Sequence, residues 1–237
     1  MHMDGFFLPR TPSELARARP NYPILMGEDT DEFALFLGSI FPSFESYNRS
    51  SVALLLNLLY PYFGEKIPLI SEMIINTFAR YPIKNDDHMA WLRLVNEAFS
   101  NVYFSSHLRR DGQFYLDNGN NEVFVYNFNY TDRIFRPLDI YGFTPVPHSS
   151  ELSYLWFYAY DWQNPALAGN ITDEHLAVAD FLGTTWTNFA KGSKGESPYE
   201  GFSPVSSPDR FEYYSFDLPQ GKMLNKFRAE GDVLFNK

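Results

Sequence analysis

The sequence predicts an α/β protein with few strands and many helices. Two segments are typical of buried strands: an apolar run at residues 22–26 and a run of β-branched and aromatic residues at 123–128. Between and after them, apolar residues recur at helical spacing. Strands that alternate with helices favour an α/β class, with about three or four strands expected in 237 residues.

Local signals predict the elements of the first half. Thr11, Pro12 and Glu14 mark the start of a short helix, because threonine caps it, proline suits its first turn and glutamate closes a capping box. The apolar strand at 22–26 follows. Helices are then predicted at residues 52–60, 69–81 and 88–104, so the middle third is expected to be mostly helical.

The second half adds strands and ends in a predicted helix. Asp-Asn-Gly at 117–119 signals a turn before the strand at 123–128. Further predictions are an aromatic-rich stretch at 152–162, a helix at 173–189, a Gly/Ser/Pro loop at 192–208, a strand at 211–216 and a helix at 221–227. No repeat or linker divides residues 1–237, which we expect to form part of a single domain.

Composition excludes several classes of function. The net charge is −10, and 29 acidic residues outnumber 19 basic ones, which argues against a nucleic-acid partner. No run of about 18 uncharged apolar residues predicts a membrane span, and the N-terminal residues do not resemble a signal peptide. Without cysteine, these residues can form neither disulfides nor thiolate zinc sites.

Metal and cofactor motifs are weak. Residues 85–88 (Asn-Asp-Asp-His) offer potential ligands, but no second cluster stands at a recognisable spacing. Neither a phosphate-binding glycine motif nor a dinucleotide fingerprint occurs. We therefore expect no metal and no cofactor.

One candidate site is the acidic segment at residues 28–32. Glu28, Asp29, Asp31 and Glu32 follow the first predicted strand, and functional groups in α/β folds cluster beyond the carboxyl ends of strands. The alternative is a solvated loop, or a helix start whose positive end attracts acids. The pattern alone favours this solvated alternative.

A second candidate is His148, which follows Pro145 and Pro147. Prolines stiffen a loop, and a stiff loop can hold a general base in place. The alternative, favoured for a lone histidine, is a surface residue without a role.

Ser197 lies in a segment that begins like a nucleophile elbow, but it lacks the closing glycine and a preceding strand, and Pro198 removes an oxyanion-hole N–H. We therefore reject Ser197 as a nucleophile.

Several short segments together resemble one family. They are D-G-F-F-L-P at 4–9 (family D-G-x-F-L-P), the strand and acids at 23–32 (G-x-N-x-D-E), V-F-V-Y-N-F at 123–128 (V-Y-x-Y-x-F), H-S-S-E-L at 148–152 (H-G-x-E-L), W-T-N-F-A-K at 186–191 and the closing segment at 225–236. In this order they resemble the C-terminal portion of type-B carboxylesterases, the cholinesterase-like family of α/β-hydrolases. The match at 186–191 is the most specific.

The resemblance implies a fold and a mechanism. The fold would be the C-terminal part of an α/β-hydrolase, with the N-terminal part of the sheet missing. Glu32 would be the acid and His148 the base of a Ser-Glu-His triad that hydrolyses a small-molecule ester through an acyl-enzyme. No cofactor is implied. Members of the family are often secreted or retained in the endoplasmic reticulum.

Departures from the family pattern limit this expectation. No G-x-S-x-G precedes Glu32, and the glycine-rich oxyanion loop is also missing. Phe33 and Ser149 stand where the family has glycine, and Leu35 stands where cholinesterases have an aromatic residue that meets choline. We therefore expect a fragment that is inactive by itself and whose partner could be its own missing N-terminal half.

Two functions remain open at this point. One is part of a serine ester hydrolase, which retention of both Glu32 and His148 in their motifs supports. The other is a non-catalytic, cholinesterase-like interaction or adhesion module, because such relatives commonly lack a complete triad.

Overall fold

Two units make up the part of the chain that the structure describes. The structure is a computed structural model that describes residues 3–135, 137–193, 195–217 and 221–228. Within those ranges, the sheet unit comprises residues 3–27, 107–129 and 171–227. The helical unit comprises residues 28–106, 130–170 and 228.

The sheet is mixed and has the strand order β1-β2-β3-β4. Its strands are β1 (Ile24–Asp29), β2 (Val123–Phe128), β3 (Tyr213–Phe216) and β4 (Lys222–Leu224). β2 runs parallel to β3, with Tyr126 opposite Tyr214, whereas β3 and β4 are antiparallel. β1 begins in the sheet unit, and its last two residues, Glu28 and Asp29, belong to the helical unit.

Helices of the sheet unit cover both faces of β2. The helices are α1 (Pro12–Ala16), α6 (Ser106–Asp117, of which Ser106 belongs to the helical unit) and α9 (Asp173–Lys191). Val123 and Val125 pack in one cluster with side chains of α6. On the opposite face, Tyr126 packs edge-on against Trp186 of α9, with 5.0 Å between ring centroids. All six residues of β2 are therefore buried, as expected for a strand between two layers.

The helical unit is built around its own apolar core. Its helices are α2 (Ala34–Ile40), α3 (Ser50–Leu59), α4 (Ile67–Phe78), α5 (His88–Ser100), α7 (Leu152–Leu155) and α8 (Ala159–Trp162), with 3₁₀ turns at Phe44–Ser46 and Pro61–Lys66. Asp87 caps α5 by accepting a hydrogen bond from the backbone N–H of Ala90. A π-helical segment, Asn101–Ser105, joins α5 to α6. The core side chains come mainly from α2 to α5.

The structure confirms the type of most of the predicted helices and strands. The capping box of α1 forms as predicted: Glu14 N–H donates to the Thr11 hydroxyl, and the Thr11 N–H donates to the Glu14 carboxylate. β2 has the predicted bounds, and the predicted helices at 52–60, 69–81 and 173–189 correspond to α3, α4 and α9. The predicted helix at 88–104 is α5 plus most of the π segment. In the described part of the chain, no helix has the length and apolar character needed to cross a membrane.

The predicted final helix at 221–227 is wrong. The chain forms β4 there, which pairs antiparallel with β3 through Leu224 and Tyr213. A Cβ at Gly221 would lie 2.1 Å from the Tyr214 ring, so a glycine is needed for this close approach. Pairing with a neighbouring strand thus overrides the local helical composition. The first strand also differs from its prediction at 22–26, since it begins at Ile24 and continues into the acidic residues.

We predict opposite effects for two glycine-to-alanine substitutions in the sheet unit. Gly27→Ala places a methyl group 2.3 Å from the Tyr126 ring and should lower the free energy of unfolding by roughly 1–3 kcal/mol. Gly183→Ala, on α9, meets no atom within 4 Å and should raise that free energy by up to about 1 kcal/mol. Urea unfolding of the two variants and the wild type measures both. Equal effects would contradict close packing at Gly27.

Candidate active site

The two candidate residues of the helical unit lie in direct contact. Glu32 follows β1 in a turn, and His148 lies in the loop before α7. Nδ1 of His148 is 2.5 Å from Oε2 of Glu32, although the residues are 116 positions apart. The Glu32 side chain is 7% exposed and that of His148 is 44% exposed. A buried acid therefore holds a histidine whose ring remains accessible.

Neighbouring backbone groups fix the position of Glu32. Its Oε1 accepts a hydrogen bond of 3.0 Å from the N–H of Asp29. The next residue, Phe33, donates its N–H to Oγ of Ser100 at 3.0 Å and packs its buried ring 5.3 Å from that of Phe99. The Phe33 side chain thus anchors the turn of Glu32 in the core.

Asp31 holds the loop that precedes His148. Its N–H donates to the carbonyl of Val146 at 2.9 Å, and its Oδ2 accepts the N–H of Val146 at 3.0 Å. Its Oδ1 accepts a hydrogen bond of 2.7 Å from Nδ2 of Asn96 on α5. The proline loop is therefore tied to the segment that carries Glu32.

The π-helical segment places two side chains at the site. Phe104 lies against the imidazole of His148, with 5.1 Å between ring centroids. Ser105 donates its hydroxyl to Oε1 of Glu28 at 2.7 Å. π-Helical turns are frequent at functional sites, because the extra residue re-aims the side chains around it.

Burial and pairing shift the ionisation of the site. The hydrogen bond with Glu32 raises the pKa of His148 above its ordinary value, and partial burial opposes that effect. Burial raises the pKa of Glu28 to about 7, although Arg228 opposes the rise through its Nε, 2.9 Å from Oε1 of Glu28. Burial likewise raises the pKa of Asp31. The Glu32 contact thus favours the imidazolium form of His148.

The solvated-loop interpretation of residues 28–32 is wrong. Glu28, Asp29 and Glu32 are 3%, 1% and 5% exposed. The pattern of acids in the sequence is compatible with a loop, but the partners that make burial possible are distant along the chain. Arg228, which also donates to the carbonyl of Thr30, is 200 positions from Glu28, and no sequence signal points to it.

The remaining candidates have structural roles. Ser197 donates its hydroxyl to the carbonyls of Tyr199 and Phe202, within its own loop. In the weak metal candidate at 85–88, Asp87 caps α5 and Nδ1 of His88 contacts the carbonyl of Tyr47 at 2.8 Å. Among the described residues, no group of three or more His, Asp or Glu side chains is placed to hold a metal ion.

Comparison with known proteins gives one positive finding. A sequence model described as the carboxylesterase family matches residues 1–233, which is nearly the whole chain. No curated protein matches the chain in sequence.

We predict that Glu32→Gln lowers the pKa of His148. The amide removes the negative charge and the carboxylate acceptor that stabilise the imidazolium. An NMR titration of the imidazole signals measures the shift, with His148→Gln to assign the resonance. Glu65→Gln, at an exposed residue, is the matched control and should leave the titration unchanged. An unchanged His148 pKa in Glu32→Gln would contradict the observed contact.

The same pair should make stability depend on pH. A histidine whose pKa is raised by folding stabilises the folded chain below the unfolded value of about 6.5, and this contribution is lost as the pH rises through the folded pKa. The difference in unfolding free energy between the wild type and Glu32→Gln should therefore be larger at about pH 6 than at pH 8. Urea unfolding at the two pH values measures it, and an equal difference would argue against a charged pair.

Proposed function

The chain belongs to the carboxylesterase family, and from that premise we propose that Glu32 and His148 are the acid and base of a Ser-Glu-His triad for ester hydrolysis. One observation carries the proposal, the 2.5 Å contact between Nδ1 of His148 and Oε2 of Glu32. It supports the assignment because the same two residues stand in segments that resemble the family's acid and base motifs. The family is one of carboxylic ester hydrolases.

The contact suits each residue to its proposed role. With Nδ1–H donated to Glu32, Nε2 of His148 carries the lone pair and can accept the proton of a nucleophilic hydroxyl. The imidazolium that forms is stabilised by the Glu32 carboxylate. The same proton then passes to the leaving alcohol, and a water molecule repeats the cycle on the acyl-enzyme.

We further propose that the nucleophile comes from a segment outside these 237 residues. The sequence contains no G-x-S-x-G, and Ser197 is engaged with carbonyls of its own loop. The residues would then form the C-terminal portion of a carboxylesterase domain. By itself the chain would lack both the serine and the N–H donors that stabilise the tetrahedral intermediate.

The substrate class of the proposal is a small-molecule carboxylic ester. Leu35, at the position where cholinesterases have an aromatic residue, is 49% exposed on α2. An aliphatic side chain has no π face for a quaternary ammonium group. We therefore propose no selectivity for choline esters.

A non-catalytic interaction module is the second candidate function. The absence of a G-x-S-x-G motif from the sequence favours it. The geometry favours hydrolysis, because an adhesion surface has no need for a histidine in contact with a buried glutamate. The two candidates differ in what restoring the serine would do.

We predict that the purified chain does not turn over p-nitrophenyl butyrate faster than its His148→Gln variant, because the proposal places the activated serine outside these residues. Spectrophotometric release of p-nitrophenol measures the rate. Turnover by the wild-type chain that a serine-directed organophosphate abolishes and His148→Gln reduces would contradict this expectation.

We predict that adding the missing serine restores hydrolysis. If the transcript upstream of Met1 encodes an in-frame G-x-S-x-G segment, co-expression of that segment should give an organophosphate-sensitive esterase. His148→Gln and Glu32→Gln should each lower its kcat by roughly 10⁴-fold, as for other triad members. A complex that assembles without esterase activity would favour the interaction module instead.

A further inference from the structure

Two carboxyl groups contact one another beside Glu32 and His148. Asp29, the last residue of β1, is 1% exposed, and Oε2 of Glu151, just before α7, is closed off from solvent. The Asp29 and Glu151 carboxyls lie within hydrogen-bonding reach of each other. Both belong to the helical unit.

One oxygen of each carboxyl in this pair lacks a hydrogen-bond donor. Oδ2 of Asp29 accepts the N–H of Ser150 at 3.0 Å. Neither Oδ1 of Asp29 nor Oε2 of Glu151 accepts a hydrogen bond from any group that the structure describes. An ionised carboxylate has no hydrogen to donate, so two of them in contact cannot satisfy each other. A single proton on either group completes the bond, whereas leaving both oxygens unpaired would be costly.

The negative charge of Glu32 also favours a bound proton. Glu32 faces both Asp29 and Glu151, whereas His148 faces Glu151 and opposes protonation of that carboxyl when the imidazole is charged. Arg228 is engaged by Glu28 and by the carbonyl of Thr30. Burial raises the pKa of both Asp29 and Glu151, and the negative charge of Glu32 adds to that rise.

We propose that Asp29 and Glu151 share one proton at neutral pH and act together as positioning residues for Glu32 and His148. The proposal rests on the function proposed above. Asp29 donates its N–H to Oε1 of Glu32 and accepts the N–H of Ser150, two residues after His148. The shared proton adds a hydrogen bond between Asp29 and Glu151. Asp29 therefore contacts both Glu32 and the loop that carries His148.

The residue type at position 29 makes the hydrogen bond between Asp29 and Glu151 dependent on pH. In the motif G-x-N-x-D-E that residues 27–32 resemble, Asp29 stands at the asparagine. An asparagine amide carries its own N–H donors at every pH, whereas a carboxyl can donate only when it is protonated. Loss of the shared proton would place a second negative charge beside Glu32 and break the bond to Glu151.

Charge-conserving substitutions test the proposal in the chain by itself. In Asp29→Asn and in Glu151→Gln, an amide N–H replaces the shared proton and the pair keeps a net charge of −1. Asp29→Asn keeps the negative charge on Glu151 and should therefore leave the His148 pKa, measured by NMR, within about 0.3 units of the wild type. Glu151→Gln moves the charge to Asp29, away from the imidazole, and should lower that pKa. The double variant is neutral and should lower that pKa, because the charge of Glu151 helps to raise it.

The opposite pattern overturns the proposal. If both carboxyls are ionised at neutral pH, Asp29→Asn removes a negative charge beside Glu32 and should lower the His148 pKa as the double variant does. Carbon-13 NMR of the side-chain carboxyls in the wild type gives a second measurement that needs no variant. One of the two should remain protonated at pH 7, and ionisation of both at that pH would also overturn the proposal.

Stability provides an independent readout with a defined sign. An acid whose pKa is raised by folding binds its proton more tightly in the folded chain, so the wild type should lose stability as the pH rises from about 4 through that pKa. Asp29→Asn should reduce this loss, with the remainder due to the buried Glu28 and Asp31, and the exposed Asp209→Asn should not change it. Equal pH dependence of the urea midpoint in the wild type and Asp29→Asn would count against the shared proton.

These measurements separate the two proposals. If Glu32→Gln fails to lower the His148 pKa, the proposed triad pair fails. If Glu32→Gln lowers it but Asp29→Asn also lowers it, only the shared proton fails.

Discussion

The site depends on the burial of acidic side chains where β1 ends. Glu28, Asp29, Asp31 and Glu32 follow one another closely in sequence, and all four are largely withdrawn from water in the helical unit. A buried charge is costly unless it is paired and hydrogen-bonded. Each carboxyl therefore requires partners of its own, and supplying those partners determines where the surrounding segments lie.

Each of these acidic side chains binds residues from a different segment of the helical unit. Glu28 binds Arg228 and Ser105, Asp29 binds the N–H of Ser150, Asp31 binds Asn96 and Val146, and Glu32 binds His148. The partners come from the π-helical segment, from α5, from the proline loop and from a residue near the C-terminus. Solvation of the acids is thus replaced by contacts that bring the candidate base against the candidate acid.

The sequence predicts this site only in part. Helical spacing, runs of β-branched and aromatic residues, and capping residues are local signals, so the middle helices, β2 and α1 follow from them. Glu32 and His148 are identified as candidate site residues by the motifs around them and not by hydrophobic periodicity. The burial of residues 28–32 could not be predicted, because it depends on Arg228 and Asn96, which lie far along the chain from the acids that they bind. The same limit explains the wrong final helix, where pairing with β3 decides the structure.

Ser149 has a backbone conformation that the contacts of its neighbour stabilise. Its φ of 70° lies in the left-handed region, where glycine is favoured and other residues cost roughly 1–2 kcal/mol. The bonds of the next residue can offset that cost: Ser150 donates its hydroxyl to the carbonyl of Pro147 and its N–H to Oδ2 of Asp29. The turn after His148 is therefore imposed by its contacts instead of being permitted by a glycine. Since Asp29 also holds Glu32, the same carboxyl that fixes the strained turn fixes the acid of the pair.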